Sequence, residues 1–154
     1  MNQEGSESEN LFGPGDLRVA LGLLRLCTEG RPDDIEATAV VHAALNAGVR
    51  ILDTADVYCL GEEDLHYGEH FVRQCLKSWS GPAEDVRVLT KAGLRRVGKR
   101  WMPCGRPDHL REAVDRSLNA LGVEPPTKQR RTTPRHGFAV ILRVLVMMVP
   151  AAQQ

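Results

Sequence analysis

Two short apolar runs constrain this 154-residue chain most, because each stops on a charged residue. Val49, Ile51 and Leu52 follow Gly48 and end at Asp53, and the run from Val86 to Leu89 passes through Thr90 and closes on Lys91 before Ala92-Gly93. Apolar, β-branched runs of this length read as buried parallel strands. In a parallel α/β sheet or barrel, sites are built at the strand C-termini and the loops that follow. Asp53 and Lys91 are therefore expected on one rim, with Tyr58, five residues after Asp53, in the loop above them. A phenol ordinarily ionises near about pH 10, so it gives up a proton near neutrality only where something stabilises its anion. A lysine ammonium does that, and a carboxylate beside the lysine holds it charged and oriented.

The helices that separate such strands are also legible. Pro32 followed by Asp33, Asp34 and Glu36 starts a helix expected to run to about Asn46, with Ile35, Ala39, His42 and Leu45 or Asn46 on its inner face. His42 on that face reads as a packed or hydrogen-bonded histidine. A second helix follows the acidic stretch 61–64, with Leu65, Gly68, Val72, Cys75, Leu76 and Trp79 as its stripe. Pro107 opens a third, with Leu110, Ala113, Val114, Ser117, Leu118 and Leu121 on one face, and Gly122 ends it. Ahead of all three, residues 17–26 suit a first strand, with Gly22 allowing close backbone approach. The alternation of three strands and three helices is that of a parallel α/β fold.

The run Gly48-Val-Arg-Ile-Leu-Asp53-Thr-Ala-Asp-Val-Tyr58, then Gly68-Glu69, Val88-Leu-Thr-Lys91 and Leu118-Asn-Ala-Leu-Gly122, resembles the N-terminal part of an aldo-keto reductase. The resemblance covers residues 17–124. It implies a (β/α)8 TIM barrel, here incomplete at about three βα units, and NADPH-dependent reduction of an aldehyde or ketone. It also implies roles: Tyr58 as general acid, Lys91 as the cation that stabilises its anion, and Asp53 as the partner of Lys91. The end of the first strand would lie near the nicotinamide, making Gly22, Leu23 and Asp53 candidate cofactor contacts; for Gly22 and Leu23 ordinary core packing is the alternative.

Charge divides the chain at the point where the resemblance stops. All 20 acidic residues lie at or before Glu124, whereas Lys128, Arg130, Arg131, Arg135 and Arg143 are five of the 20 basic ones. Fifteen basic residues remain for 1–124, which carries about five net negative charges and leaves 125–154 with five positive. Three regions follow: a loose terminus over 1–16, a partial reductase domain over 17–124, and a basic then apolar tail over 125–154. A complete barrel usually needs about 250 residues. The family's fourth strand ends in a histidine that polarises the carbonyl, but the proline-interrupted stretch 125–135 does not read as that strand, and His136 is a poor substitute. Residues 138–149 are apolar except for Arg143 and too short to span a bilayer, where about 20 are needed. A shifted reading frame or divergent gene end is one account of the abrupt change. Truncation would impair the reductase, and the alternative function is a non-catalytic remnant or interaction fragment. Uncovered apolar surface would then favour self-association.

The remaining features point to bland roles. Cys27, Cys59, Cys75 and Cys104 are widely spaced and suit a reducing cytoplasm, with Cys59 a structural thiol despite its place beside Tyr58. His66 and His70 are four apart, as helical metal ligands are, but no third ligand is evident and a solvated or hydrogen-bonded pair is expected. Residues 93–105 read as a long loop, either a lid over a small carbonyl substrate or merely solvated. Arg95, Arg96, Lys99 and Arg100 beside Trp101 lack any fold motif that would make them a nucleic-acid site.

Overall fold

The computed structural model describes residues 17–123 and the backbone of residues 139–144. Strands and helices alternate along most of it: β1 (Ala20–Gly22), α1 (Leu24–Cys27), α2 (Asp34–Asn46), β2 (Ile51–Asp53), α3 (Tyr67–Ser78) and β3 (Arg87–Ala92). A hairpin of β4 (Leu94–Val97) and β5 (Arg100–Pro103) precedes α4 (Pro107–Leu121), and β6 is Ala139–Val144. β1, β2, β3 and β6 form one parallel sheet in that order. Gly22 pairs with Asp53 and Asp53 with Leu89, so β1 and β2 end side by side and β3 runs three residues further along the same rim. The described chain is thus α/β around a four-stranded parallel sheet.

Alternation along β3 sends Val88, Thr90 and Ala92 into the buried side, while Arg87, Leu89 and Lys91 stay partly exposed. The core lies between sheet and helices, where Leu52 and Val88 meet Val41 and Leu45 of α2 and Phe71, Val72 and Cys75 of α3. Each helix is bounded as its sequence dictates. The Asp33 carboxylate caps α2 by accepting from Glu36 N at 2.8 Å. Pro107 begins α4, and Gly122, at φ +72°, ends it in the left-handed conformation that favours glycine.

Four expectations change on contact with the structure. The first strand is only three residues long, because Leu23 to Cys27 turns into α1, closed by Thr28 donating from both its N–H and its hydroxyl to Leu24 O. α2 buries Ala37, Val41 and Leu45 rather than Ile35 and Ala39, and Ile35 is 83% exposed. Apolar residues surround most of that helix, so their spacing alone did not choose the face. The segment expected to be a long loop is mostly the hairpin, with Arg95 paired to Met102 and Arg96 to Trp101. Residues 139–144, in a stretch that broke the expected pattern, pair with β3 over its whole length and supply a fourth strand. The loose terminus over 1–16, the basic stretch 125–135 and His136 lie outside the described residues.

Candidate active site

Backbone pairing places the loop after β2 directly over the end of β3. Thr54 N donates to Leu89 O at 2.8 Å and Asp56 N to Lys91 O at 3.2 Å, which carries the β2–β3 pairing three residues past Asp53. Tyr58 N then closes a turn on Ala55 O. The next turn, Leu60 to Asp64, is tied by the Asp64 carboxylate, which accepts from Leu60 N, Gly61 N and Arg31. Burial works against its ionisation, but those donors prevail and hold it below the usual carboxylate range.

On the partly exposed side of the sheet, Lys91 Nζ donates to Asp53 Oδ2 at 2.8 Å and to Thr54 O at 2.7 Å. The same ammonium lies 5.0 Å from the centroid of the half-buried Tyr58 ring. The structure therefore brings Asp53, Tyr58 and Lys91 together. Gly22 is exposed at the adjacent strand end, and a side chain added there would meet no atom within 4 Å. Leu23, expected beside a cofactor, is fully buried and uses its N–H on Asp53 O at 2.9 Å. Of those two, only Gly22 leaves open space beside Asp53.

A second constellation lies behind the same loop. Glu69, fully buried on α3, accepts from Thr90 Oγ1 at 2.5 Å through one oxygen and meets His66 Nδ1 at 2.6 Å through the other. Asp56 is 5% exposed, and one of its carboxylate oxygens has no hydrogen-bond partner. Burial, reinforced by the nearby Glu69 charge, pushes the Asp56 carboxyl up to about 7. Sequence spacing singled out His66 and His70 but not this network. His66 precedes α3 with φ +68° and is bound to Glu69, whereas His70 is exposed. An available signal was an acid at position 69, inside a helix face otherwise built from Gly68, Val72, Cys75 and Leu76.

Other candidates take the packed roles their contexts suggested. His42 Nε2 lies 2.9 Å from Cys75 O. Cys59 is buried, its thiol pushed up to about 11 by desolvation, which keeps it protonated. No group of three or more metal-ligating side chains occurs among the described residues. No helix among them is long and apolar enough to cross a membrane. A cavity of about 330 Å³ opens between the site loop, the hairpin and α4, lined by Asp56, His66, Arg96, Cys104 and His109 among others; Asp53, Tyr58 and Lys91 do not line it.

The arrangement of an acid, a phenol and an amine at adjacent parallel strand ends can be set against known proteins. The model of the aldo/keto reductase family matches residues 18–126. The chain belongs to the aldo/keto reductase family. It is 34% identical over 112 residues to an uncharacterised oxidoreductase of Schizosaccharomyces pombe, covering 70% of this chain and 34% of that protein. It is 34% identical over 108 residues to the 6-dehydroglucose reductase of Novosphingobium aromaticivorans, again covering 69% of this chain and 34% of the other. Among solved structures, an aldo-keto reductase from Bacillus halodurans in its holo form matches 68% of this chain and 32% of its own, with 28% identity and a TM-score of 0.53. The aldo/keto reductase chain described here thus spans about a third of the length of the curated relatives it matches.

Proposed function

We propose that the chain carries the proton-donating part of an NADPH-dependent carbonyl reductase site, acting on an aldehyde or ketone. The observation that carries this reading is the Lys91 ammonium, 2.8 Å from the Asp53 carboxylate and 5.0 Å from the Tyr58 ring centroid. Bound NADPH would supply a hydride to the carbonyl carbon. Tyr58 gives its O–H proton to the carbonyl oxygen, yielding an alcohol and leaving a phenolate. Lys91 stabilises that phenolate electrostatically, and Asp53 with Thr54 O keeps the ammonium charged and aimed. The open space beside Gly22, next to Asp53, fits a cofactor approaching this rim.

One observation favours the alternative, a non-catalytic remnant or interaction fragment. The register of β6 sets Arg143 opposite Lys91, and residues 139–144 contain no histidine where the resemblance implies a carbonyl-polarising one. Fluorescence titration with NADPH, followed by aldehyde assays, separates the two readings; 6-dehydroglucose, in the name of one relative, is a sensible first substrate. The reductase reading expects saturable binding and a loss of about 10²- to 10⁴-fold in turnover for Tyr58→Phe, with NADPH binding retained. A folded chain that neither binds NADPH nor turns over carries the remnant reading instead.

A further inference from the structure

The strand that bears Lys91 and the loop that bears Tyr58 are joined twice, once on each side of the sheet. On the buried side the connection forms a closed circuit. Thr90, the residue before Lys91, donates to Glu69 at 2.5 Å, and the other oxygen of Glu69 meets the His66 ring at 2.6 Å. His66 N donates to Asp56 O at 2.8 Å, and Asp56 N returns to Lys91 O at 3.2 Å. Glu69 and Thr90 are both fully buried, so neither oxygen has water as a substitute partner.

We propose that Glu69, acting through Thr90 and His66, is a positioning residue that fixes the distance between the Lys91 ammonium and the Tyr58 ring. The inference rests on the reading of Tyr58 and Lys91 as proton donor and stabilising cation. A buried carboxylate that accepts two hydrogen bonds is costly to place in a helix face, and removing one partner leaves the other bond to hold it alone. Here they clamp the two backbone segments whose side chains meet on the opposite sheet face. Breaking the clamp lets β3 and the site loop shift relative to each other. For charges about 5 Å apart, moving the ammonium back by about 1.5 Å weakens its hold on the phenolate by about half a pH unit.

The chain holds only two tyrosines, Tyr58 and Tyr67, which makes the test direct. In a Tyr67→Phe background, alkaline tyrosinate absorbance reports Tyr58 alone. Thr90→Val, which keeps the side-chain shape but deletes the hydroxyl, should move the Tyr58 transition upward by about half a pH unit. Glu69→Met should move it in the same direction, and Thr90→Ser, which retains the hydroxyl, should restore the parent value. Lys91→Met, the control for the underlying reading, should move it further than either. Should Lys91→Met shift the transition while Thr90→Val and Glu69→Met leave it in place, with native circular dichroism, the clamp is overturned and the Tyr58–Lys91 reading stands. An unmoved transition in Lys91→Met would remove both. If Glu69→Met does not fold, Thr90→Val and Thr90→Ser decide the outcome.

Discussion

Asp53 and Asp56 sit three residues apart at the head of the same loop and live in opposite electrical environments. Asp53 keeps a third of its side chain in solvent and holds Lys91 at 2.8 Å. Asp56 is almost wholly buried, leaves one oxygen without a partner, and has Glu69 as a charged neighbour. The difference teaches that position at a strand end does not by itself make an acid chemically useful. The residue facing Lys91 has a cation and water; for the one turned inward, burial and the Glu69 charge outweigh the nearby His66 ring. One carboxylate therefore stabilises a charge, while the other spends part of the neutral pH range protonated.

The largest test of that contrast is Asp56→Asn. The Asp56 carboxyl titrates near 7 in the folded chain, above the ordinary carboxylate value of about 4, so the folded state holds the extra proton between those limits. Its effect on stability is most favourable below about pH 4 and is lost as pH rises through about 7. Asparagine carries no such charge. Relative to the parent, the variant should become the more stable as pH rises through this window, by on the order of 4 kcal/mol above it, as read from urea unfolding of both at several pH values.

Gly68→Ala should break the packing that lets the two acids face apart. A Cβ at Gly68 would sit 2.6 Å from Thr54 Oγ1 and 3.1 Å from Tyr58 Cβ, and Gly68 N already binds Tyr58 O at 3.0 Å. Overpacking there should cost about 1–3 kcal/mol in thermal or urea denaturation, because the site loop must lift. Asp53→Asn should change stability by only about 0.5–1 kcal/mol, since its ion pair is partly solvated. Smallest of all is Lys99→Ala: its bridge to Glu29 joins two exposed side chains, and unfolding should shift by less than about 0.5 kcal/mol.

Much of the rim was legible without coordinates. Asp53 and Lys91 each end a β-rich run, and a run that stops on a charge at a glycine-punctuated boundary has few alternatives to a strand end. Proline and the acids at 33–36 and 107–108 marked helix starts because the exposed amides of a first turn need acceptors or no N–H at all. The hairpin over 94–103 was less legible, since its arginines and glycines suit a loop equally well and only cross-strand pairing distinguishes the two. The same holds for α1: Leu23 to Cys27 is apolar enough for a strand, and the bond from Leu23 N to Asp53 O fixes where the turn begins.

Sequence alone determined that an acid, a phenol and an amine would share one rim, because strand periodicity and parallel connection are local properties repeated along the chain. Tertiary structure decided which acids are charged, which glycine borders open space and which residues tie the site loop to β3. Those depend on burial and on partners distant in sequence: Glu69 reaches Thr90 across 21 residues, and Lys91 reaches Asp53 across 38. Desolvation and pairing exist only once the layers have packed, and no local pattern records them.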